Sequence, residues 1–362
     1  MNDLKTAALS ALEKFKIEGN VKYCESYGNG HINDTFLVIC DTANGDHQYI
    51  LQSINTKIFV PQEVMSNIEK VTDHLRKKSD NPREILILLR TNDGTAYYID
   101  EDNRCWRVYE FVTDSICLER PESVSDFKEC ARAFGKFQKD LADFPAETLF
   151  ETIKDFHNTP KRYNDFLHAI EQNFEGRAAT VQKEIEFVKA RKDFYGVLLE
   201  ANKRGELPLR VSHNDTKSNN VMLDKDTRTA LCVIDLDTIM PGFSVTDFGD
   251  SIRFGASTAA EDEKDLSKVR LDINLFEAYV EGFLEDLKDD FSASEIMLLP
   301  EGAKMMTVEC GMRFLADYLS GDTYFKTKYP EHNLDRCRTQ FKLVEEMENN
   351  WDTLKEIVKK YC

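Results

Sequence analysis

One short segment, residues 211–237, constrains the fold of this chain more than any other feature of its sequence. His213, Asp215 and Asn220 follow the pattern His-x-Asp-x-x-x-x-Asn, and Asp235 stands fifteen residues after Asn220. Two short apolar runs between Asn220 and Asp235 predict the two strands of a β-hairpin. A loop followed by a hairpin of this length brings the side chains of Asp215, Asn220 and Asp235 to one point, so we expect a functional site there.

The chemistry that fits this arrangement is phosphoryl transfer. One carboxylate can accept the proton of an attacking hydroxyl group, while an amide oxygen and a second carboxylate hold Mg²⁺ against the phosphates of ATP. We therefore predict that Asp215 is the catalytic base and that Asn220 and Asp235 are metal ligands. Lys217, two positions after the base, is expected to direct its ammonium group at the transferring phosphoryl group. A His-x-Asp turn alone is more often only a turn, and the complete spacing is what favours catalysis.

The rest of the chain divides into a β-rich part and a helical part. Residues 1–112 contain several β-like runs, an AsnGly hairpin signal at 44–45 and two helical stretches, at 3–16 and 62–78. Beyond residue 114, most apolar residues recur with helical spacing. This pattern predicts an α+β fold of two lobes, with a small antiparallel sheet in 1–112 and a larger helical lobe in 113–362. The predicted strands of the first lobe are 21–28, 35–40, 48–54, 84–90, 96–99 and 105–112, after a helix at 3–16. The predicted helices of the second lobe are 123–143, 161–173, 178–203, 270–288, 293–320 and 333–360.

Composition disfavours several classes of function. The 362 residues include 65 Asp and Glu against 47 Lys and Arg, for a formal charge of −18. A field of that sign repels nucleic-acid phosphates and anionic membrane surfaces, so we expect neither as a partner. The nine cysteines are scattered without a Cys-x-x-Cys pair, the N-terminus lacks an apolar signal core, and no run reaches the roughly 18 apolar residues of a membrane span. Reduced thiols and a cytoplasmic location are therefore expected.

The N-terminal lobe carries signals for nucleotide binding. Gly28, Asn29 and Gly30 lie between the first two predicted strands, where two glycines let backbone N–H groups approach a phosphate closely. No Gly-x-x-x-x-Gly-Lys-Ser/Thr motif occurs, which excludes a P-loop as the phosphate cradle. The last predicted strand of the lobe would form the hinge, with backbone groups near Glu110 and Val112 meeting the adenine edge.

Four longer segments carry a resemblance to known families: 212–220, 233–242, 246–253 and 324–336. With the His-x-Asp-x-x-x-x-Asn motif and the two-lobed pattern, nearly the whole chain resembles the aminoglycoside phosphotransferase/choline kinase superfamily of small-molecule kinases. Within that superfamily the sequence is most similar to the N-acetylhexosamine 1-kinases. The resemblance implies a protein-kinase-like fold. It also implies transfer of the γ-phosphate of ATP, with Mg²⁺, to the anomeric C1 hydroxyl of N-acetylglucosamine or N-acetylgalactosamine.

One position departs from the usual kinase pattern. The third strand of a kinase offers a lysine to the α- and β-phosphates, but here Gln52 takes that place and supplies no charge. Glu69, on the following helix, then has no evident ion-pair partner. A pseudokinase that binds nucleotide without turnover is one interpretation, and the intact Asp215, Asn220 and Asp235 argue against it. Glutamine at this position is also compatible with the resemblance to the hexosamine kinases, so Gln52 remains a nucleotide-binding candidate.

The acceptor site is expected in the C-terminal part of the chain. Sugars are held by planar hydrogen-bonding groups and aromatic faces, which points to Arg313, Tyr324 and Trp351. The resemblance implies that these residues and Asp215 line the acceptor site, with His31 near the opposite wall. A kinase for an amino alcohol, homoserine or an aminoglycoside is the alternative among enzymes, because a charge of −18 suits a cationic acceptor. The sequence leaves open which hexosamine epimer is preferred, whether ATP or GTP is the donor, and the oligomeric state.

Overall fold

The computed structural model describes residues 2–28 and 32–362 of the chain. Its N-terminal lobe is built on five strands: β1 (Asn20–Ser26), β2 (Asp34–Thr42), β3 (Gly45–Ile54), β4 (Tyr98–Ile99) and β5 (Cys105–Glu110). All neighbouring strands are antiparallel, in the order β1-β2-β3-β5-β4. Thr42 pairs with Gly45 across the turn between β2 and β3, which confirms the hairpin predicted at AsnGly 44–45.

The C-terminal lobe is mostly helical and contains two small sheets. Its strands are β6 (Ser115–Cys117), β7 (Arg210–Ser212), β8 (Val221–Asp224), β9 (Ala230–Val233) and β10 (Met240–Gly242). Strands β6, β8 and β9 form one sheet in the order β6-β8-β9, and β7 pairs with β10. The helices of the N-terminal lobe are α1 (Asn2–Leu12) and α2 (Pro61–Leu75). Those of the C-terminal lobe are α3 (Val124–Asp140), α4 (Thr159–Gln172), α5 (Gln182–Lys189), α6 (Val197–Lys203), α7 (Ser244–Gly255), α8 (Ile273–Leu284), α9 (Ala293–Met297), α10 (Leu299–Leu319), α11 (His332–Asn349) and α12 (Trp351–Lys359). The predicted α+β architecture, with a sheet first and helices after it, is confirmed.

The strand predicted at 84–90 is wrong. This segment is extended but forms only an isolated bridge between Leu88 and Tyr109, and its hydrogen bonds to β5 run from Leu89 N–H to Val108 and from Glu110 N–H to Ile87. The physical reason is that β4 already pairs with the first residues of β5. Only the last part of the β5 edge is left for this segment.

Several helix predictions fail at their ends or interruptions. The predicted helix 178–203 is two helices, α5 and α6, and the predicted 333–360 is interrupted at Asn350. The predicted helix 293–320 is divided at Leu298, between α9 and α10. Pro300 lies in the first turn of α10, because proline suits the first turn of a helix and not its interior. Helix α7 was not predicted at all. Ten of its twelve residues are buried, including polar ones such as Asp247 and Asp250, so the helix has no solvated polar face of the kind that marks a surface helix.

The protein has two hydrophobic cores, a small one within the N-terminal lobe and a main one that extends through the C-terminal lobe. A small core lies between α1 and the N-terminal sheet, where Leu12, Val38 and Trp106 are each at most 1% exposed. The apolar face of α2 belongs instead to the main core, through residues such as Val64 and Ile68, and this core continues through the helices of the C-terminal lobe. Helix α2 is therefore packed as a part of both lobes.

The structure also bears on the expectations about membrane-spanning helices and cysteine thiols. None of the helices in the described ranges is both long enough and apolar enough to cross a membrane. All nine cysteines are described, and each is a free thiol.

Two glycines allow helices α7 and α10 to cross in close contact. Helices α7 and α10 cross at Gly249 and Gly302, where a Cβ atom on Gly249 would overlap the carbonyl oxygen of Gly302. Helix α10 in turn packs against α4 and α11. This contact fixes α7 against the centre of the helical lobe.

We predict that Gly249→Ala lowers the free energy of unfolding by about 1–3 kcal/mol, because the added methyl group overpacks the crossing. The measurement is urea denaturation followed by circular dichroism. Gly196→Ala is the matched control, since a Cβ atom there meets no other atom within 4 Å and the φ angle is −89°. A Gly249→Ala variant as stable as the control would contradict the assigned contact.

Candidate active site

The hairpin predicted from the apolar runs is present and brings two candidate metal ligands to the same end. Asn220 directly precedes β8, and Asp235 follows the last residue of β9 by two positions. Val221 pairs with Val233, and the N–H of Ile234 donates to the carbonyl oxygen of Asn220 at 2.9 Å.

The Asp215 carboxylate, in the loop after β7, is held by two neighbours. Lys217 Nζ lies 3.0 Å from Asp215 Oδ2, and Asn220 Nδ2 donates to the carbonyl oxygen of Asp215 at 2.7 Å and to Oδ2 at 3.3 Å. Burial lowers the pKa of Lys217, but the Asp215 carboxylate outweighs this effect, so that the pKa lies above its ordinary value. Lys217 is thus a cation beside Oδ2, while Oδ1 makes no hydrogen bond within the described residues.

A buried carboxylate of α7 sets the conformation of the loop before Asp215. Asp247 accepts the backbone N–H groups of His213 and Asn214, each at 2.8 Å, and the side-chain amide of Gln138 at 2.8 Å. Burial raises the pKa of Asp247, and the nearby His213 and these hydrogen bonds partly oppose that rise. Asn214 has φ 65°, a left-handed conformation that asparagine adopts more readily than most residues. The turn that presents Asp215 therefore depends on Asp247.

The other side of the loop is fixed one turn further along α7. The N–H of Thr216 donates to Asp250 Oδ2 at 3.2 Å, and its hydroxyl donates to the carbonyl oxygen of Asp247. Arg253 donates to Asp250 Oδ1 at 2.8 and 3.0 Å. Helix α7 thus holds the backbone on both sides of Asp215.

The Asp235 carboxylate is crowded by other acidic groups. Burial raises its pKa to about 6, with further contributions from the carboxylates of Asp237 and Asp215. Asp235 makes no hydrogen bond or ion pair within the described residues. A bound divalent cation would compensate this concentration of negative charge.

The donor atoms fit magnesium. Asn220 uses Nδ2 for its side-chain hydrogen bonds, so its Oδ1 stays available as a ligand. In the ranges 2–28 and 32–362, no three His, Cys, Asp or Glu side chains form a metal cluster by themselves. Two protein oxygens therefore suit an ion that completes its shell with phosphate oxygens and water, as Mg²⁺ does in kinases.

The predicted phosphate loop is described only in part. Gly28 has φ +77°, a conformation that favours glycine, and the neighbouring Tyr27 N–H donates to the carbonyl oxygen of Thr35 at 2.8 Å. Asn29, Gly30 and His31 lie outside the described residues, so the predictions for these three stay predictions.

The predicted hinge follows the end of β5. The Glu110 carboxylate contacts His47 Nε2 at 2.7 Å, and the N–H of Glu110 donates to Ile87. The carbonyl oxygen of Val112 accepts the hydroxyl of Ser115, whereas no hydrogen bond to a described residue uses the Val112 N–H. Val112 thus retains a donor that could meet an adenine edge.

Gln52 is engaged inside the sheet. Its Oε1 accepts two hydrogen bonds from Arg107, at 2.8 and 3.0 Å, and its Nε2 donates to Thr35 Oγ1 at 3.1 Å. Arg107, only 1% exposed, also forms an ion pair with Asp237. Sequence analysis missed Arg107, although a charged residue inside the apolar run of β5 was an available signal.

The expectation that Glu69 lacks a partner is wrong. Its carboxylate forms an ion pair with Arg90, which lies in the extended segment before β4. Sequence reasoning failed here because it sought the partner on β3, whereas the segment at 84–90 passes beside α2.

Arg313, the predicted acceptor residue on α10, is surrounded by aromatic rings. Its guanidinium carbon lies 5.7 Å from the ring centre of Phe156, 5.8 Å from that of Tyr324 and 5.5 Å from that of Phe325. Among the residues that the structure describes, no hydrogen bond or ion pair satisfies this guanidinium. Its N–H groups are consequently available to a ligand.

A short chain of contacts connects Arg313 with the base. Glu309, one helical turn before Arg313, lies 3.0 Å from His157 Nδ1, and His157 Nε2 lies 3.3 Å from the carbonyl oxygen of Asn214. Asn214 directly precedes Asp215, so Arg313 shares the face of α10 that is turned toward the catalytic loop.

The remaining acceptor candidates differ in their support. Tyr324, 70% exposed, lies in a loop whose backbone N–H groups donate to the carboxylate of Asp317 at 2.8–3.0 Å. Trp351 contacts Lys304 and Lys355 instead. Lys304 is nine residues before Arg313, roughly 13 Å along the axis of α10 at 1.5 Å per residue. The structure therefore joins Tyr324 with Arg313 and does not bring Trp351 to them.

A separate cavity of about 310 Å³ is lined by Leu75, Ala133 and Val233 among others. None of the predicted site residues lines it. Its basic residues are already in ion pairs, Arg132 with Glu129 and Lys136 with Asp140. The candidate site at Asp215 therefore lies apart from this cavity.

The chain also matches a family of known proteins. The model of the phosphotransferase enzyme family, abbreviated APH, matches residues 24–286, more than half of the chain. The chain belongs to this family. The matched range of the phosphotransferase includes the catalytic loop and both candidate metal ligands, but it ends before Arg313. Family membership therefore supports phosphoryl transfer and leaves the acceptor open.

Solved structures share the fold of this phosphotransferase. A microcompartment-associated aminopropanol kinase has a TM-score of 0.67 and 18% identity, covering 97% of this chain and 98% of that one. An aminoglycoside phosphotransferase from Alicyclobacillus acidocaldarius has a TM-score of 0.65 and 12% identity, covering 97% and 96%. Aminoglycoside 2'-phosphotransferase-IIIa, solved as a GDP complex, has a TM-score of 0.58 and 13% identity, covering 96% and 99%. The chain is thus a phosphotransferase with the fold of small-molecule kinases.

We predict that Asp247→Asn in this phosphotransferase lowers the free energy of unfolding by about 1–3 kcal/mol, because a buried N–H of His213 or Asn214 loses its acceptor. Urea denaturation measures this change. Asp226→Asn, at an exposed position in the turn between β8 and β9, removes the same charge and serves as the control. Equal stability of the two variants would contradict the role given to Asp247.

Proposed function

We propose that this protein uses ATP and Mg²⁺ to phosphorylate N-acetylglucosamine or N-acetylgalactosamine at the anomeric C1 hydroxyl. The observation that supports this acceptor class is the half-buried Arg313, which has three aromatic neighbours and forms no ion pair among the described residues. An acceptor recognised there must offer hydrogen-bond acceptors and an apolar face. Sugar hydroxyls, an N-acetyl carbonyl and a pyranose ring supply both.

The same residue disfavours the cationic alternatives. An ammonium group brought beside an unpaired guanidinium is repelled, and this repulsion is strong where few waters screen it. Amino alcohols and aminoglycosides need acidic groups or closed aromatic cages at the acceptor site. Glu309, the acidic group one helical turn from Arg313, already accepts Thr159 Oγ1 and contacts His157. The formal charge of −18 belongs to the whole chain, and the charges near Arg313 give little support to a cationic acceptor.

The donor assignment is supported by the metal ligands and by one solved relative. Asn220 and Asp235 would hold Mg²⁺, which when bound neutralises charge on the β- and γ-phosphate oxygens. The relative solved with GDP, aminoglycoside 2'-phosphotransferase-IIIa, supports a nucleotide in the cleft and keeps GTP as a donor to be tested. Val112 N–H and the backbone at Glu110 are the proposed adenine contacts, and Gly28, Asn29 and Gly30 the proposed phosphate loop.

The proposed mechanism follows from the two oxygens of Asp215. Oδ2 is occupied by Lys217 and Asn220, so Oδ1 accepts the proton of the sugar hydroxyl as that oxygen attacks phosphorus. Negative charge spreads over the oxygens of the transferred group in the transition state, and the Lys217 ammonium can balance it. The nine free thiols support a cytoplasmic location for this reaction.

We expect ADP release with ATP and Mg²⁺ to rise on addition of N-acetylglucosamine or N-acetylgalactosamine, and the product to be acid-labile, as glycosyl phosphates are. The panel includes aminopropanol, choline, homoserine and an aminoglycoside, with GTP as a second donor. Arg313→Met should raise KM for the sugar roughly tenfold or more, because a charged hydrogen-bond donor is lost. Arg338→Met, which removes a guanidinium paired with Glu184 on another part of the lobe, should leave that KM unchanged.

Three results would count against this proposal. Phosphate at C6 would exclude a 1-kinase, and turnover only with amino alcohols or an aminoglycoside would assign the acceptor to those classes. Nucleotide binding without turnover of any acceptor would indicate a pseudokinase.

Two isosteric variants distinguish the proposed base from the proposed metal ligand. Asp215→Asn should leave binding of ATP and Mg²⁺ about unchanged and lower kcat by roughly 10²–10⁴-fold, the usual effect of losing a general base. Asp235→Asn should raise the Mg²⁺ requirement and recover partly in excess metal, because Mg²⁺ prefers an anionic oxygen. The measurement is ADP release during Mg²⁺ titration at saturating sugar. If excess metal rescued Asp215→Asn and not Asp235→Asn, the two roles would be reversed.

A further inference from the structure

The cation that β3 lacks is present on the neighbouring strand. Gln52 of β3 and Arg107 of β5 stand directly opposite each other in the antiparallel register. Gln52 Oε1 accepts two N–H groups of the guanidinium and thereby fixes its orientation. A positive charge is thus held one strand away from the place where the general kinase pattern has its lysine.

Arg107 is buried and fully committed to protein partners. Its side chain is 1% exposed and forms an ion pair with Asp237, which is 4% exposed. Burial lowers the pKa of Arg107, but Asp237 outweighs this effect and the pKa lies above its ordinary value. A buried charge needs its partner to remain in the folded state, so Arg107 and Asp237 constrain each other.

Asp237 joins three parts of the proposed active site. Its Oδ1 takes Arg107 of β5, and its Oδ2 accepts Asn33 Nδ2 at 2.5 Å, beside the proposed phosphate loop. Asn33 Oδ1 also accepts the backbone N–H of Asn55, just after β3. Asp237 lies two residues after Asp235, whose φ is 61°. One carboxylate therefore connects the sheet, the phosphate-loop side and the segment of the metal ligand.

Helix α2 does not supply the usual acidic partner. Glu69 pairs with Arg90 and not with a cation of the sheet. The helix reaches the metal-ligand segment through Asn67, whose Nδ2 donates to the carbonyl oxygens of Ile239 at 2.9 Å and Phe150 at 2.8 Å. The charged link between sheet and metal-ligand segment is thus the pair of Arg107 and Asp237.

We propose that Arg107 is a positioning residue for the nucleotide and metal site, acting through Asp237 in place of the lysine–glutamate pair of other kinases. This inference builds on the proposed function only in requiring a nucleotide and Mg²⁺, and it is independent of the acceptor. Arg107 holds Asp237, which in turn orients the Asp235 segment and Asn33 toward each other.

The test is calorimetric titration with adenylyl imidodiphosphate and Mg²⁺, without acceptor. We expect Arg107→Met to weaken binding and to raise the Mg²⁺ requirement, each roughly tenfold, with a smaller loss for Arg107→Lys. The double variant Gln52→Lys/Arg107→Met moves the cation to the opposite residue of β3 and should recover part of the affinity. Arg83→Met is the matched control, because it removes another ion pair between the lobes, with Asp224, that does not touch the metal-ligand segment. Its binding should equal that of the unmodified protein.

Asp237→Asn keeps the size of the side chain and removes only its charge, so it tests the pair if Arg107→Met does not fold. It should weaken binding in the same way as Arg107→Met. Binding equal to that of the unmodified protein in either folded variant would overturn the inference, as would a double variant that binds no better than Arg107→Met. Failure of the unmodified protein to bind the nucleotide with Mg²⁺ would instead refute the kinase proposal, and failure of sugar turnover alone would concern only the acceptor.

Discussion

The buried ion pair between Arg107 and Asp237 is the charged contact that joins the two lobes at the proposed metal site. A charge that is removed from water is stable only when an opposite charge and hydrogen bonds replace its hydration. Because Arg107 belongs to the sheet and Asp237 to the segment of Asp235, this requirement fixes one lobe against the other at the proposed metal site. Gln52 completes the arrangement, since a neutral amide can accept two guanidinium N–H groups without adding a competing charge.

In the C-terminal lobe, buried carboxylates fix the loops of the site by accepting hydrogen bonds from backbone N–H groups. Asp247 accepts the N–H groups before the base, Asp250 accepts the one after it, and Asp317 accepts three N–H groups of the loop that carries Tyr324. Hydrogen bonds to an ionised acceptor are stronger than neutral ones, so a few carboxylates can fix loops that have no regular structure. Part of the acidic excess of this chain therefore serves its own loops, and net charge alone is a poor guide to the acceptor.

Much of the fold could be predicted because its signals are local. The AsnGly turn between β2 and β3, the hairpin that precedes Asp235 and the general order of sheet and helices follow from turn chemistry and periodicity. Helix α7 could not be found in this way, because it is buried on nearly every side, and its polar residues, such as Asp247 and Asp250, are buried as well. The segment 84–90 was misassigned for a different reason. Its apolar residues suit a strand, but β4 occupies part of the edge that they would need.

The sequence by itself determined that Asp215, Asn220 and Asp235 belong to one site, because the spacing of a loop and a hairpin allows few other arrangements. Only the tertiary structure decided which charges face each other. Arg107 pairs with Asp237 and Glu69 with Arg90, whereas Arg313 lies among aromatic rings and forms no ion pair among the described residues. Local motifs are encoded by neighbours along the chain. Ion pairs join residues that are distant in sequence, and burial determines which of them must be paired.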